Sequence, residues 1–139
     1  MTDLQEQREE RRIRPMLVTL LLAIIAILLL VAGQTCLKLG LNAVGGVSFL
    51  GGNFRESIAK VLSTPYVLLG FVFYGISAVL WLDVLSKLDF SFAFPLVSMT
   101  YIFSLIIGRL IFHETITWER VVGVLCICVG VLFIMRSQR

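Results

Sequence analysis

The sequence predicts an all-α membrane protein of four transmembrane helices, paired as a dimer. Three observations predict it: an apolar composition, uncharged runs of bilayer-spanning length, and two glycines on one face of the last run. Hydrophobic residues make up 58% of the 139-residue chain and charged residues 15%, with a mean hydropathy of +0.96. Soluble domains carry about 45–50% apolar and about 25% charged residues, so a single soluble core could not hide this much apolar surface. The charges also cluster. Pro15–Leu37, Val61–Leu82 and Phe90–Gly108 each run about 19–23 residues without Lys, Arg, Asp or Glu, enough for a helix rising about 1.5 Å per residue to cross about 30 Å of hydrocarbon. Val121–Met135 is shorter, roughly 22 Å as a helix. It spans only if Glu119, Arg120 and Arg136 sit at the interfaces and snorkel outward.

The elements follow in order. Residues 1–14 are a polar tail of mixed sign, expected on the cytoplasmic side, ending in Arg11, Arg12 and Arg14 against the first span. A secretory signal peptide would share that basic start, with Val31-Ala32-Gly33 as its cleavage site. The apolar run exceeds the 7–15 residues of a signal's hydrophobic region, which favours a retained first helix. Residues 15–137 then form the four-helix domain. The first span runs from about Pro15 to the Lys38–Leu41 region. Residues 42–63 interrupt it: a loop rich in glycine (Gly45, Gly46, Gly51, Gly52), then a short surface helix. Asn53 and Glu56 are its expected capping pair, and Phe54, Ile58, Val61 and Leu62 its apolar face on the membrane. Thr64-Pro65 opens the second span as a cap followed by proline at the first helical position. Lys87–Phe90 is a tight connection to the third span, and His113–Thr117 leads to the fourth, with Trp118 at the interface.

Lysine and arginine set the orientation. With the N-terminus inside, the cytoplasmic face receives Arg8, Arg11, Arg12, Arg14, Lys87, Arg136 and Arg139. The opposite face receives Lys38, Arg55, Lys60, Arg109 and Arg120. The excess favours both termini in the cytoplasm.

Composition and spacing exclude several functions. The net charge is +3 and the pI near 9.0, but the arginines flank apolar spans, so the basic balance points to membrane rather than nucleic acid. Cys36, Cys126 and Cys128 have no metal-ligand spacing and all fall within spans, where cysteine behaves as a small hydrophobe. The single histidine, His113, stands beside Glu114 without a second ligand or nucleophile nearby. That reads as an interfacial polar turn, not a metal site or catalytic dyad. No enzyme activity, metal or cofactor is expected.

Charges close to spans are costly and therefore informative. Asp83 precedes Lys87 by four residues, the favourable order for a helical ion pair. The same carboxylate could instead take up protons or cations in a wet cavity. Asp83 and Glu114 are the two candidate coupling carboxylates. Lys38 and Arg109 end the first and third spans on one side of the membrane. They either snorkel to the interface or together form a cationic mouth for phosphate. Gln34, Thr35, Ser98, Thr100 and Tyr101 supply hydroxyl and amide groups, for interhelical hydrogen bonds or for a ligand. Pro95 removes a backbone donor early in the third span and predicts a kink there. Phe90, Phe92 and Phe94 alternate at its entrance, facing lipid or lining an acyl-chain groove. Gly123 and Gly130, two turns apart, share a face that lets another helix approach closely, the expected dimer interface.

These residues resemble a known group. Gly123-Val-Leu-Cys-Ile-Cys-Val-Gly130-Val is similar to the dimerisation motif of the small multidrug resistance transporters. Ala32-Gly33-Gln34-Thr35-Cys36-Leu37-Lys38, Ala93-Phe94-Pro95-Leu96-Val97-Ser98, and His113-Glu114 with Gly123 ten residues after the histidine resemble a sister group more closely. That group comprises the EamA-type small subunits that flip 4-amino-4-deoxy-arabinose linked to undecaprenyl phosphate. The resemblance implies a homodimer, or a heterodimer with a similar small subunit, acting on membrane lipid of the polyprenyl-phosphate glycolipid class. With it, Gln34, Lys38, Phe94, Ser98 and Tyr101 become the candidates for substrate contact, and Arg109 joins them by position alone. The multidrug exporters carry a glutamate in helix 1 where this chain has Leu30, and an aromatic cage where it has Phe94 and Val97. A cation or metabolite exporter would therefore need Asp83 as its coupling group. A non-transporting accessory subunit is the third reading.

Overall fold

The computed structural model describes residues 2–45 and 54–136. Among these, every regular element is a helix: α1 (Thr2–Ala43), α2 (Phe54–Leu62), α3 (Pro65–Lys87), α4 (Phe90–Val97), α5 (Thr100–Leu110) and α6 (Trp118–Arg136). Among the described residues three segments are long and apolar enough to cross a membrane: Arg14–Ala43, Pro65–Lys87 and the α4–α5 unit Phe90–Leu110. The fourth expected segment is helical as α6, 19 residues long.

The polar N-terminal residues differ from the expected tail. They continue the first helix, so α1 is 42 residues long with Pro15 inside it. Glu, Gln and Arg, which dominate residues 2–14, are good helix formers, and proline forfeits one backbone hydrogen bond. The Thr19 hydroxyl donates to the Pro15 carbonyl at 2.9 Å. The Gly-rich loop begins at Gly45, whose φ of 78° needs glycine. The rest of that loop and the Asn53 cap lie outside the described residues. α2 is helical, with Ile58 and Val61 half-buried and Lys60 and Leu62 exposed. Thr64 and Pro65 start α3, though the Thr64 hydroxyl bonds back to the Lys60 carbonyl at 2.9 Å instead of capping α3.

The architecture is organised on an antiparallel pair, α1 against α3. On α1 the small residues Ala26, Gly33 and Gly40 stand seven apart, and they meet Ser77, Gly70 and Val67 of α3. A seven-residue repeat keeps one face toward a partner helix. The backbones approach so closely that a Cβ added at Gly70 would lie 2.9 Å from the Gly33 carbonyl oxygen and 2.8 Å from Leu37 Cγ. Ser77, buried in this seam, donates its hydroxyl to the Ala26 carbonyl at 2.8 Å. At the other end of the pair, Ala23 and Ile27 of α1 and Val84 of α3 pack with Phe92 and Leu96 of α4 into the main core cluster.

The third span breaks three residues after Pro95, whereas a kink is expected at the proline itself. Ser98 and Met99 separate α4 from α5, and the amides of Ser98, Met99, Tyr101 and Ile102 bond three residues back instead of four. The Ser98 hydroxyl itself bonds the Pro95 carbonyl. α6 lies along α4 and α5 and buries none of its described side chains. Large apolar residues also cover the outside of the other spans, Leu21, Phe71, Val79 and Leu110 among them, as lipid in place of water permits.

Candidate functional site

Two cavities flank the α4–α5 break. The first, about 290 Å³, lies between the C-terminal half of α1, the face of α5, and the connection leading into α6. α1 contributes Gln34, Thr35 and Lys38 at helical spacing, and α5 contributes Thr100 and Ser104, one turn apart. Phe112, Glu114 and Arg120 close it.

The chain path explains how Glu114 reaches this cavity. His113, at φ 51°, is the one non-glycine residue with a left-handed backbone among those described, a conformation that histidine adopts more readily than most. It reverses the chain, and the Glu114 amide donates to the Gly108 carbonyl at 2.9 Å. A Cβ at Gly108 would stand 3.3 Å from the Glu114 carboxylate, so the glycine makes room for it. That carboxylate is ion-paired to the Lys38 ammonium, and Arg120 Nη1 lies 3.9 Å from its second oxygen. Lys38 also sits over the Phe112 ring, 4.3 Å from its centroid, in cation–π range. The Lys38 hydrogen bond, then its charge, then that of Arg120, hold the Glu114 carboxyl below its ordinary value of 4.5. With Lys38 and Arg120 against one Glu114, the cavity carries one net positive charge.

The second cavity, about 220 Å³, is apolar and lies nearer the N-terminus of α1, between α1, α3 and α4. Leu30 of α1, Tyr74 and Trp81 of α3, and Phe94 and Val97 of α4 line it.

The expected substrate residues therefore divide. Gln34 and Lys38 line the polar cavity, and Phe94 lines the apolar one, its ring 4.0 Å from that of Phe90. Ser98 spends its hydroxyl at the helix break. Tyr101 and Arg109 are exposed and are not among the residues lining either cavity. The second cation beside Lys38 is thus Arg120, where the sequence suggested Arg109. Asp83 pairs with Lys87 at 2.6 Å on the exposed last turn of α3, and lines neither cavity. Glu114, the other candidate carboxylate, stands at the centre of the charged cluster. Gly123 and Gly130 face open space, with nothing within 4 Å of a Cβ built on either. Among the described residues no group of His, Cys, Asp and Glu could hold a metal ion. Sequence reasoning missed Arg120 and Ser104. Ser104 was within reach of it, one turn after Thr100 on a helix facing α1.

Apolar-surfaced spans around a small charged cavity define a multi-span membrane protein. The chain belongs to the EamA-like transporter family, which it matches over residues 7–136. It is similar to two proteins named as probable 4-amino-4-deoxy-L-arabinose-phosphoundecaprenol flippase subunit ArnF. That of Proteus mirabilis is 30% identical over 119 residues, 83% of this chain and 90% of the relative. That of Photorhabdus laumondii is 34% identical over 127 residues, 88% and 94%. A protein of Erwinia tasmaniensis named as probable flippase subunit ArnE is 30% identical over 112 residues, 81% and 92%. No solved structure matches the chain.

Proposed function

We propose that this chain is one subunit of a flippase that carries a polyprenyl-phosphate-linked sugar from the cytoplasmic to the outer leaflet. One observation carries the reading: Lys38, the last residue of the Ala32–Lys38 motif, projects into a polar cavity that Arg120 makes net cationic. Phosphate pairs strongly with such donors through charge-assisted hydrogen bonds. An entering phosphate exchanges with Glu114 for Lys38, while Gln34 offers a neutral partner to a sugar. The Thr35 and Ser104 hydroxyls donate to the Val31 and Tyr101 carbonyls at 2.7 and 2.8 Å, which leaves them to accept from it. The relatives' names supply the lipid class.

In this reading α6 is the fourth span, its Val121–Met135 stretch uncharged and its terminal charges snorkelling. Both termini lie in the cytoplasm, which puts Lys38, Glu114 and Arg120 near the outer surface. The open face at Gly123 and Gly130 pairs with a second small subunit. Relatives named as two kinds of subunit, ArnE and ArnF, support a heterodimer. The exporter alternative draws less support, because Asp83 is spent on Lys87 outside both cavities.

Native mass spectrometry of the gently solubilised protein tests the reading. Polyprenyl-phosphate glycolipid should be retained in preference to bulk phospholipid, and Lys38→Ala should weaken retention more than Arg109→Ala. Absence of any preference in the wild type would leave Lys38 a snorkelling anchor and favour an accessory subunit.

A further inference from the structure

The apolar cavity has no role in the reading so far. Its placement relative to the charged one is specific. Ile27 and Leu30 of α1 line the apolar cavity, and Val31, Gln34 and Lys38 continue along the same helix into the polar one. On the facing unit, Phe94 and Val97 precede the Ser98–Met99 break and line the apolar cavity, whereas Thr100 and Ser104 follow it and line the polar one. Polarity thus changes at one level on both walls. Leu30 and Lys38 are eight residues apart, about 12 Å along a helix.

The apolar cavity also presents little that water would favour. Its buried serine, Ser77, already donates to the Ala26 carbonyl at 2.8 Å, and aromatic rings of Tyr74, Trp81 and Phe94 form much of the wall. Ala78, exposed and small, keeps it open on the side of α3.

We infer that the apolar cavity is the tail subsite of the same ligand: it holds the hydrocarbon segment next to the phosphate while the polar cavity holds the headgroup. The inference rests on the lipid-linked-sugar reading and adds a second site to it. With both termini in the cytoplasm, head above tail is the orientation of a lipid in the outer leaflet. This conformation therefore fits the lipid as delivered.

The test uses the full chain in lipid nanodiscs and undecaprenyl phosphate carrying a diazirine on the isoprene unit nearest the phosphate. Illumination should place adducts on Tyr74, Trp81 or Phe94, and excess unlabelled undecaprenyl phosphate should displace them far better than phosphatidylglycerol. Ala78→Trp, which fills the cavity, should cut labelling at least tenfold, with Ala78→Leu in between. Val79→Trp, at the adjacent position outside the lining, should leave it unchanged and so control for folding. Adducts on outward residues of α6 such as Leu132 and Phe133, displaced only by undecaprenyl phosphate, would overturn the tail subsite and leave the flippase reading standing. Adducts in the cavity that phosphatidylglycerol displaces equally well would overturn the flippase reading instead, since the cavity would then accept any membrane chain.

Discussion

Replacing Gly70 by alanine tests whether the α1–α3 seam holds the protein together. Gly70 and Gly75 both lie inside α3, so the gain in helix propensity on replacing glycine, about 1 kcal/mol, applies to each and cancels in the comparison. Their surroundings differ. At Gly75 a Cβ meets nothing within 4 Å, whereas at Gly70 it meets the Gly33 carbonyl oxygen at 2.9 Å and Leu37 Cγ at 2.8 Å. The carbonyl belongs to a helical backbone and cannot swing aside, so the two helices must separate. Overpacking of this kind costs about 1–3 kcal/mol. Gly75→Ala should therefore leave stability unchanged or raise it by up to about 1 kcal/mol. Gly70→Ala should fall below Gly75→Ala by about 1–3 kcal/mol. Unfolding in mixed micelles by added SDS, followed through tryptophan fluorescence and far-UV circular dichroism, measures the difference. Equal stability of the two variants would refute close helix approach as the basis of the fold.

Three further outcomes follow from the site and the open faces. Gly123→Leu with Gly130→Leu should abolish the dimer in crosslinking while leaving membrane insertion intact, because the shared face loses close approach; an unchanged dimer rules this face out. Asp83→Asn should alter stability by no more than about 1 kcal/mol, as for other exposed ion pairs, and leave flipping active; loss of all activity at normal expression would make Asp83 a coupling group. Glu114 has a folded pKa below its ordinary value of 4.5, so its pairing contributes fully above pH 4.5 and is lost as pH falls through the lowered value. Its carboxyl carbon shift should show that low midpoint by NMR, and Lys38→Met should raise it more than Arg120→Met. An unmoved midpoint in Lys38→Met would contradict the ion pair.

Much of this fold was legible because its causes are local. Uncharged runs located the three apolar spans, Thr64-Pro65 marked the start of α3, and four-residue spacing gave the Asp83–Lys87 pair. Pro95 announced an interrupted third span, although the break falls three residues later, at Ser98. The charged cluster was not legible. Lys38 and Glu114 are 76 residues apart, and only the left-handed turn at His113 directs the carboxylate inward. A polar turn without further ligands gives no sign of that. The α1 seam was missed for a different reason. Gly33 and Gly40 have the same seven-residue spacing as Gly123 and Gly130, but Gly33 was absorbed by the motif around Lys38. The signal that suggested pairing between subunits on α6 also described packing within the chain on α1. Residues 2–14 were read by their polarity, which set them apart from the span, while their helix propensity joined them to it.

The central claim is that this protein moves a polyprenyl-phosphate-linked sugar through a site built on Lys38. Its most direct measurement is flipping in proteoliposomes: the purified protein, with any small subunit that co-purifies, is reconstituted with undecaprenyl-phosphate-linked 4-amino-4-deoxy-arabinose. Arrival of the amino group at the outer leaflet is read with an impermeant amine reagent. The account predicts transfer well above that of protein-free vesicles, reduced at least tenfold by Lys38→Ala and little changed by Arg109→Ala. Transfer no faster than in protein-free vesicles, or equally fast with Lys38→Ala, would contradict it.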